Sequence, residues 1–511
     1  MMVSRTLYSV RNVLAIWLGQ VVSLLCTFVV RIVFVRFLAQ DYLGLETLFS
    51  NVLSMLTLAE LGVGSAIVFS LYKPLADGDK EAVKSIMRLF RHAYVAIGVA
   101  IALIGCILAP NIDMLINGAP DIPGLKFYFL FFVFNTSFSY FFSYKGILIT
   151  ADQKNYIVAL IRYAFQIGQC VLQIAVLVVT QDYILFLLCM LAATVGQNLL
   201  TVYMANRLYP YLKERDIAPI DQDVLGSIKQ NVVGMVFHKV SSVVNAPVNT
   251  VVISSVLGLT PVAIYGNYLL ITNSLSKFVD QMFNAVVSSI GNLRVASSDE
   301  RQYEVFKTAH FVNAVLYGML TVCLLPLVAP FVRMAFGENY LYPMHVAVLF
   351  AVWFYFRGMR DAVLTFISAY GLYWQTRFKA LAESVALVAS VVLLTWFVGI
   401  EGLMLANIAV QIFISTFLEA GVLFKYGLRK SPWTYFRRSL LYAAVTACLT
   451  ALSCFVVSLL PNDPLLRFLL GGVVSVIIGL GGFSLVFCRT REFCEVKDIT
   501  VSLVKSRMGK R

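Results

Sequence analysis

Four basic side chains fall inside stretches of sequence that are otherwise apolar enough to cross a membrane: Arg31, Lys277, Arg357 and Arg360. A charged side chain near the middle of a bilayer raises the free energy of insertion by about 2.5–3.5 kcal/mol, so it is expected to face protein or a water-filled cavity. Arginine binds phosphate through two parallel hydrogen bonds, whereas lysine supplies a compact charge. The set therefore predicts a cavity that binds a phosphate or diphosphate group.

Acidic residues near these cations support a second interpretation, in which the charges only stabilise the fold. Asp280 lies three residues after Lys277, and Asp361 lies four residues after Arg357. Side chains four apart on a helix share a face, so Arg357 and Asp361 are predicted to form a local ion pair. The other basic residues are less obviously compensated, and both interpretations stay open.

Polar residues recur at three- and four-residue intervals in four of the predicted helices. This spacing places them on one face, which then lines a cavity or packs against another helix through hydrogen bonds. These polar faces consist of Gln20, Ser23, Thr27 and Arg31; Ser50, Ser54, Thr57 and Glu60; Asn231, His238, Ser242, Asn245 and Asn249; and Asn267, Ser274, Lys277, Gln281, Asn284 and Ser288. The residues predicted to line the cavity beside the four cations are Thr27, Glu60, His238, Asn245, Asn249, Asn267, Asp280, Gln281, Asn284 and Asp361.

The sequence carries no signature of a cofactor or a resident metal. A P-loop motif does not occur, the four histidines are scattered, and the nine cysteines lack zinc-site spacing. We therefore predict no cofactor, no metal and no catalytic residue. Any coupling ion would be H⁺ or Na⁺, and His238 is either a proton-coupling group or a packed neutral histidine.

Composition places the elements that carry these residues in a membrane. Of the 511 residues, 60% are hydrophobic and 13% are charged, and mean hydropathy is +0.83, against roughly 45–50% apolar residues in soluble domains. Apolar runs of the roughly 20 residues that span a bilayer recur along the chain, so we predict an all-α polytopic membrane protein of about fourteen helices. The predicted spans are 12–35, 43–71, 92–116, 125–150, 156–179, 184–206, 230–256, 263–290, 309–335, 343–370, 379–398, 402–424, 439–460 and 465–487.

The distribution of the net charge of +13 indicates topology rather than nucleic-acid binding. Lysine and arginine concentrate in alternate connections and in the tail that ends at Lys510 and Arg511. The other connections, such as Thr180–Tyr183 and Pro461–Pro464, have almost none. By the positive-inside rule, both termini are predicted to be cytoplasmic and the outer loops to be short. A retained first helix, rather than a signal peptide, is expected.

Two short matches at an offset of about 220 residues predict an internal duplication. Ala109–Met114 corresponds to Ala329–Met334, and Ile149–Ala151 corresponds to Ile367–Ala369. Six spans per repeat imply two parallel halves followed by two extra helices. The predicted domains are an N-terminal lobe (1–206), a cytoplasmic linker (207–229), a C-terminal lobe (230–424), two further helices (425–487) and a basic tail (488–511).

Two segments carry a resemblance to a known family. Arg36–Leu45, with Tyr42, Gly44 and Leu45, and Leu58–Ala66, with Glu60, Leu61 and Gly62, resemble the opening of Wzx-type polysaccharide-export flippases. This resemblance implies the fold of the multidrug/oligosaccharidyl-lipid/polysaccharide (MOP) exporter superfamily, in which two six-helix lobes surround a cavity.

The resemblance also implies a function. The expected activity is transfer of an undecaprenyl-diphosphate-linked oligosaccharide from the inner to the outer leaflet of a bacterial cytoplasmic membrane. The expected partners are this lipid-linked sugar and membrane lipid, with a functional link to glycosyltransferases and a polymerase, and the chain is expected to be a monomer.

Three other functions fit parts of the pattern. A drug/cation antiporter of the same fold would have an acidic rather than a basic cavity. A membrane glycan polymerase or ligase generally needs a large outer loop, and the predicted loops are short. A scaffold without transport activity gives no reason for charges at mid-membrane.

Overall fold

The computed structural model is helical throughout the part of the chain that it describes. It describes residues 2–56, 70–72, 74–75, 77–118, 122–152, 154–214, 219, 226, 245 and 247–498, and no strand occurs among them. The predicted cavity residues Glu60 and His238 lie outside this part. The prediction of an all-α polytopic membrane protein is confirmed.

Sixteen helices are described, numbered here in chain order. They are α1 (Met2–Phe37), α2 (Gln40–Leu56), α3 (Lys80–Leu108), α4 (Leu125–Ala151), α5 (Asn155–Val179), α6 (Tyr183–Leu208), α7 (Pro247–Leu257), α8 (Leu259–Ala296), α9 (Asp299–Ala335), α10 (Met344–Met359), α11 (Asp361–Tyr370), α12 (Tyr373–Val398), α13 (Ile400–Leu428), α14 (Trp433–Ser458), α15 (Pro464–Phe487) and α16 (491–498). Short 3₁₀ helices lie at Ala109–Leu115, Pro210–Lys213 and Glu338–Tyr340.

Within the described ranges, ten helices are long and apolar enough to span a membrane. They are α1, α3, α4, α5, α6, α9, α12, α13, α14 and α15. The α8 helix is not among them because of its polar residues, and the span predicted at 343–370 is divided into α10 and α11. The count of fourteen therefore stays a prediction.

The chain divides into two compact units, Met1–Ala263 (unit 1) and Ile264–Arg511 (unit 2). In unit 1, α1 packs on α5, α3 on α4, and α6 on both α4 and α5. The α3 and α4 helices approach closely, because a Cβ on Gly105 would lie 2.4 Å from Val133 Cγ1. At a second close point, Ser137 Oγ donates to the Gly98 carbonyl at 2.7 Å. These packed helices hold the polar side chains of α1, α2 and α5 in fixed positions.

In unit 2, the long helix α9 packs against α10, α14 and α15. Here too glycines permit close approach, since a Cβ on Gly479 would lie 2.4 Å from Met319 Sδ. Two π-helical turns, Gln411–Thr416 and Leu423–Leu428, interrupt α13. Such turns change which residues share a helix face, and they frequently occur at functional sites.

Candidate functional site

In unit 1, the helices α1, α2, α5 and α6 line a half-open pocket of about 160 Å³, which combines apolar side chains with charged and amide groups and is called the polar pocket below. Arg31 enters it from α1, and its Nη2 donates a hydrogen bond to Thr47 Oγ1 at 3.3 Å. Glu46 enters from α2, close enough to Arg31 for their charges to attract. Thr27 also lines the pocket, although its hydroxyl donates to the Ser23 carbonyl at 2.9 Å. The pocket thus brings two of the predicted site residues together.

Three glutamines on α5 complete the polar wall of this pocket, and sequence reasoning missed them. Gln166, Gln169 and Gln173 follow one another at intervals of three and four residues. The same spacing identifies the polar faces of the other helices, so the sequence of the fifth predicted span also indicates a polar face. Glu46 was also missed, although it lies four residues before Ser50 and so extends the polar face of the second predicted span.

Unit 2 carries a basic residue midway along its longest helix, α8. The Lys277 side chain is exposed, and no described residue forms an ion pair or hydrogen bond with it. Other members of the predicted polar face differ in environment, since Asn267 and Ser274 are buried whereas Asn284 is exposed. The face is therefore partly a packing surface and partly accessible.

The predicted local ion pair between Arg357 and Asp361 is wrong. Arg357 Nη1 instead donates to Asn273 Oδ1 at 2.8 Å, and its guanidinium lies 5.3 Å from the Trp353 ring centre. Asp361 Oδ2 accepts a hydrogen bond from the Tyr317 hydroxyl at 2.6 Å. The reason is the helix break: α10 ends before Asp361 and α11 begins at it, so the four-residue rule of a continuous helix does not apply.

Two carboxyl groups meet beside this arginine. The Asp280 and Asp361 carboxyl groups lie close enough for their charges to interact. Asn273, Lys277 and Asp280 follow one another at intervals of four and three, so they share one face of α8. Arg357, at the end of α10, contacts this face through Asn273, and Asp361, at the start of α11, lies close to Asp280. This group, Lys277, Arg357, Asp280 and Asp361, is called the open cluster below.

The expectation that Arg360 lacks a counter-charge is also wrong. Its Nε and Nη2 donate to both carboxylate oxygens of Glu419, at 2.9 and 2.5 Å, and Nη2 lies 3.4 Å from Glu383 Oε1. Lys379 pairs with both acids and lies 2.6 Å from Glu419. Ser415 donates to Glu383 at 2.7 Å. Two cations and two carboxylates, none more than 13% exposed, therefore balance each other in what we call the closed cluster.

This chain resembles known proteins in structure but not in sequence. No protein-family model matches the sequence, and no curated protein matches it either. The structure of the lipid II flippase MurJ in an inward closed conformation aligns with a TM-score of 0.65 and 13% identity, over 94% of this chain and 99% of that one. An inward-facing multidrug resistance MATE family transporter of the MOP superfamily aligns with a TM-score of 0.62 and 16% identity, over 79% and 96%. The chain has the MOP fold.

A second MATE family transporter structure is also similar to this chain. An outward-facing MATE family transporter aligns with a TM-score of 0.54 and 16% identity, over 83% of this chain and 96% of that one. The MOP fold was expected from the resemblance of two short segments near the N-terminus. Its presence is confirmed, whereas membership in the Wzx-type family stays a prediction.

The remaining predicted cavity residues of this MOP-fold protein lie in several environments. Asn249 is buried on α7, Gln281 is half-buried on α8, and Asn245 is half-buried at an isolated described position. Among the described residues, no group of three or more His, Cys, Asp or Glu side chains is arranged to hold a metal ion.

Proposed function

We propose that this chain is a flippase that moves an undecaprenyl-diphosphate-linked oligosaccharide from the inner to the outer leaflet by alternating access. The cargo would be a repeat unit of O-antigen, capsule or exopolysaccharide. The protein would work as a monomer in the bacterial cytoplasmic membrane with both termini in the cytoplasm. Glycosyltransferases would supply its substrate and a polymerase would consume its product.

The observation that carries this proposal is the exposed Lys277 at the centre of α8, with which no described residue forms a direct ion pair, although Asp280 lies three residues away. An ammonium group within the membrane raises the free energy of insertion unless a ligand or water solvates it. The nearby Arg357 is fixed by Asn273, one helical turn before Lys277. A lysine and an oriented guanidinium on one helix face are suited to the two phosphates of a diphosphate.

Arg31 in unit 1 was predicted to bind phosphate, but its charge lies close to that of Glu46, so the diphosphate is assigned to Lys277 and Arg357 alone. Arg360 is left out of the substrate site because the closed cluster already balances its charge. One structural relative is a lipid II flippase, which supports a lipid-linked cargo for this chain.

The proposal can be tested with purified protein in liposomes. Undecaprenyl diphosphate bearing a labelled oligosaccharide is placed in both leaflets, and the fraction that an added membrane-impermeant glycosidase cleaves is followed with time. We expect cleavage to pass one half of the label in proteoliposomes and to stop near one half in protein-free liposomes. A plateau near one half in both preparations, with no build-up of cytoplasmic-leaflet lipid-linked units after gene deletion, would contradict the proposal.

The second candidate is an antiporter that exchanges a drug for H⁺ or Na⁺. It is favoured by the proximity of the Asp280 and Asp361 carboxyl groups, since two neighbouring carboxyl groups can bind a cation, and by the alignment with MATE family transporters. An antiporter predicts that Asp361→Asn abolishes cation-dependent drug efflux and drug resistance. Loss of lipid-linked sugar translocation in that variant, without any change in drug susceptibility, would reject this candidate.

A further inference from the structure

We propose that the polar pocket of unit 1 binds one sugar ring of the cargo. This inference rests on the flippase function proposed above and adds the part of the substrate that the pocket recognises. It begins from the three glutamines of α5, which the proposed phosphate site does not use.

The three glutamines, of which Gln173 is buried and the other two are half-buried, leave hydrogen-bonding capacity facing the pocket. Gln173 is 4% exposed, and its Nε2 makes a long contact of 3.4 Å with the Phe186 carbonyl. Gln169 Nε2 donates to Gln173 Oε1 at 3.3 Å. Within the described part of the chain, Gln166 makes no hydrogen bond. Since each amide has two donors and an acceptor oxygen, most of this capacity is unused.

The types of polar group indicate which ligand they fit. A phosphate only accepts hydrogen bonds, and an ammonium group only donates them, so each would satisfy half of an amide wall. A sugar hydroxyl both donates and accepts. The pocket offers acceptors on Glu46, donors on Arg31 and both on the glutamines. This mixture matches hydroxyl and acetamido groups better than it matches either kind of ion.

The volume of the pocket suits one sugar ring. The volume of about 160 Å³ is close to the roughly 150 Å³ cavity that holds a single six-membered ring in an engineered protein. Phe34 and Phe186 contribute apolar surface to the lining, against which the C–H face of a sugar ring can pack. A larger oligosaccharide would place one residue in the pocket and leave the others outside.

The test compares lipids with and without sugar. Full-length protein in nanodiscs is titrated with undecaprenyl diphosphate alone and with undecaprenyl diphosphate bearing one glucose, galactose or N-acetylglucosamine. The variants Gln166→Met and Gln169→Met keep side-chain size and remove the amide. Gln197→Met on α6, a glutamine outside the pocket lining, is the matched control.

We expect at least one sugar-bearing lipid to bind more tightly than the sugar-free lipid. Each pocket variant should raise the Kd for that lipid about fivefold, as the loss of one net hydrogen bond does. The Kd for sugar-free undecaprenyl diphosphate should not change in any variant, nor any Kd in Gln197→Met. Equal losses for sugar-bearing and sugar-free lipid, or tighter binding by none of the three sugars, would overturn the inference.

Cys26, which also lines the pocket, gives a second measurement that does not depend on these variants. In protein whose other cysteines are replaced by alanine, sugar-bearing lipid should slow alkylation of Cys26 by N-ethylmaleimide, and sugar-free lipid should not. Equal protection by both lipids would place the sugar elsewhere. If sugar binding depends on the glutamines but no lipid is translocated, the flippase function fails and the pocket assignment stands. If lipid is translocated but sugar binding does not depend on the glutamines, the pocket assignment fails and the flippase function stands.

Discussion

The open and closed clusters of unit 2 contain the same kinds of charged group and differ in whether each charge has a partner. In the closed cluster, Arg360 and Lys379 contact Glu383 and Glu419 directly, and little of any side chain is exposed. In the open cluster, the lysine is exposed, the arginine is held by an amide rather than a carboxylate, and Asp361 accepts from a tyrosine hydroxyl. A charged residue within a membrane span therefore indicates a ligand site only when the fold leaves its charge uncompensated.

This difference predicts which substitutions change the stability of the fold and which change substrate binding. Removing one member of the closed cluster leaves a buried charge without its counter-charge, so the main effect should be on folding. Removing the exposed cation of the open cluster breaks no contact within the described chain, so the effect should be on substrate binding. The predictions below test this separation in order of expected size.

The largest effect is expected for Glu419→Ala. This change leaves Arg360 and Lys379 with only one carboxylate between them, and breaking a buried ion pair costs about 3–5 kcal/mol in the free energy of unfolding. The midpoint of unfolding in a mild detergent, titrated with sodium dodecyl sulfate, should fall sharply. Glu338→Ala is the control, because Glu338 is 80% exposed and pairs with Arg333 at 3.3 Å, where the expected change is below about 1 kcal/mol. Equal midpoints for the two variants would show that the closed cluster does not stabilise the fold.

A smaller effect is expected for Gly358→Ala at the end of α10. The new Cβ would lie 2.1 Å from the Tyr317 ring, so the tyrosine that donates to Asp361 has to move. Such overpacking lowers the free energy of unfolding by about 1–3 kcal/mol. Gly421→Ala on α13 is the matched control, because no atom lies within 4 Å of its added Cβ. Destabilisation of both variants by the same amount would point to backbone effects rather than to the contact with Tyr317.

The smallest effect concerns α16, which lies outside the candidate membrane spans. Burial acts to raise the pKa of the Glu492 carboxyl, but the hydrogen bond and charge of Arg438, a backbone hydrogen bond and the charge of Lys307 together hold the pKa below its usual value. A lowered pKa in the folded state means that this contact stabilises the docked helix above the unfolded-state pKa of about 4.3. The stabilisation should be lost as pH falls below that value.

Limited proteolysis with pepsin can follow the release of α16. Cleavage within 491–498 should become faster as pH falls through this range, whereas Glu492→Gln should be cleaved at a rate that changes less with pH. A wild-type rate that depends on pH no more strongly than the variant's would contradict the assignment.

The presence of membrane-spanning helices could be predicted from the sequence because each such helix needs a long apolar run. Helix starts were less accurate. The α3 helix begins at Lys80 rather than near 92, because Asp79 caps it and Val83, Met87 and Phe90 are buried in the core of unit 1. These turns lie before the apolar run, so hydropathy does not detect them.

The pairing of charges could not be predicted, because it depends on contacts between distant residues. Arg360 and Glu419 are far apart in sequence, and each lies in a separate span with no local partner pattern. The break between α10 and α11 likewise has no proline to mark it. By contrast, the glutamines of α5 follow the helical spacing that identified the other polar faces.

The central claim, that an uncompensated Lys277 binds the diphosphate of the cargo, is tested most directly by the initial rate of translocation of Lys277→Ala in liposomes. Loss of one charge-assisted contact should lower the rate about tenfold or more, while the unfolding midpoint stays that of the unmodified protein. Lys126→Ala, which removes an exposed lysine that pairs with Asp113 in unit 1, should translocate at the unmodified rate. An unmodified rate for Lys277→Ala would contradict the account.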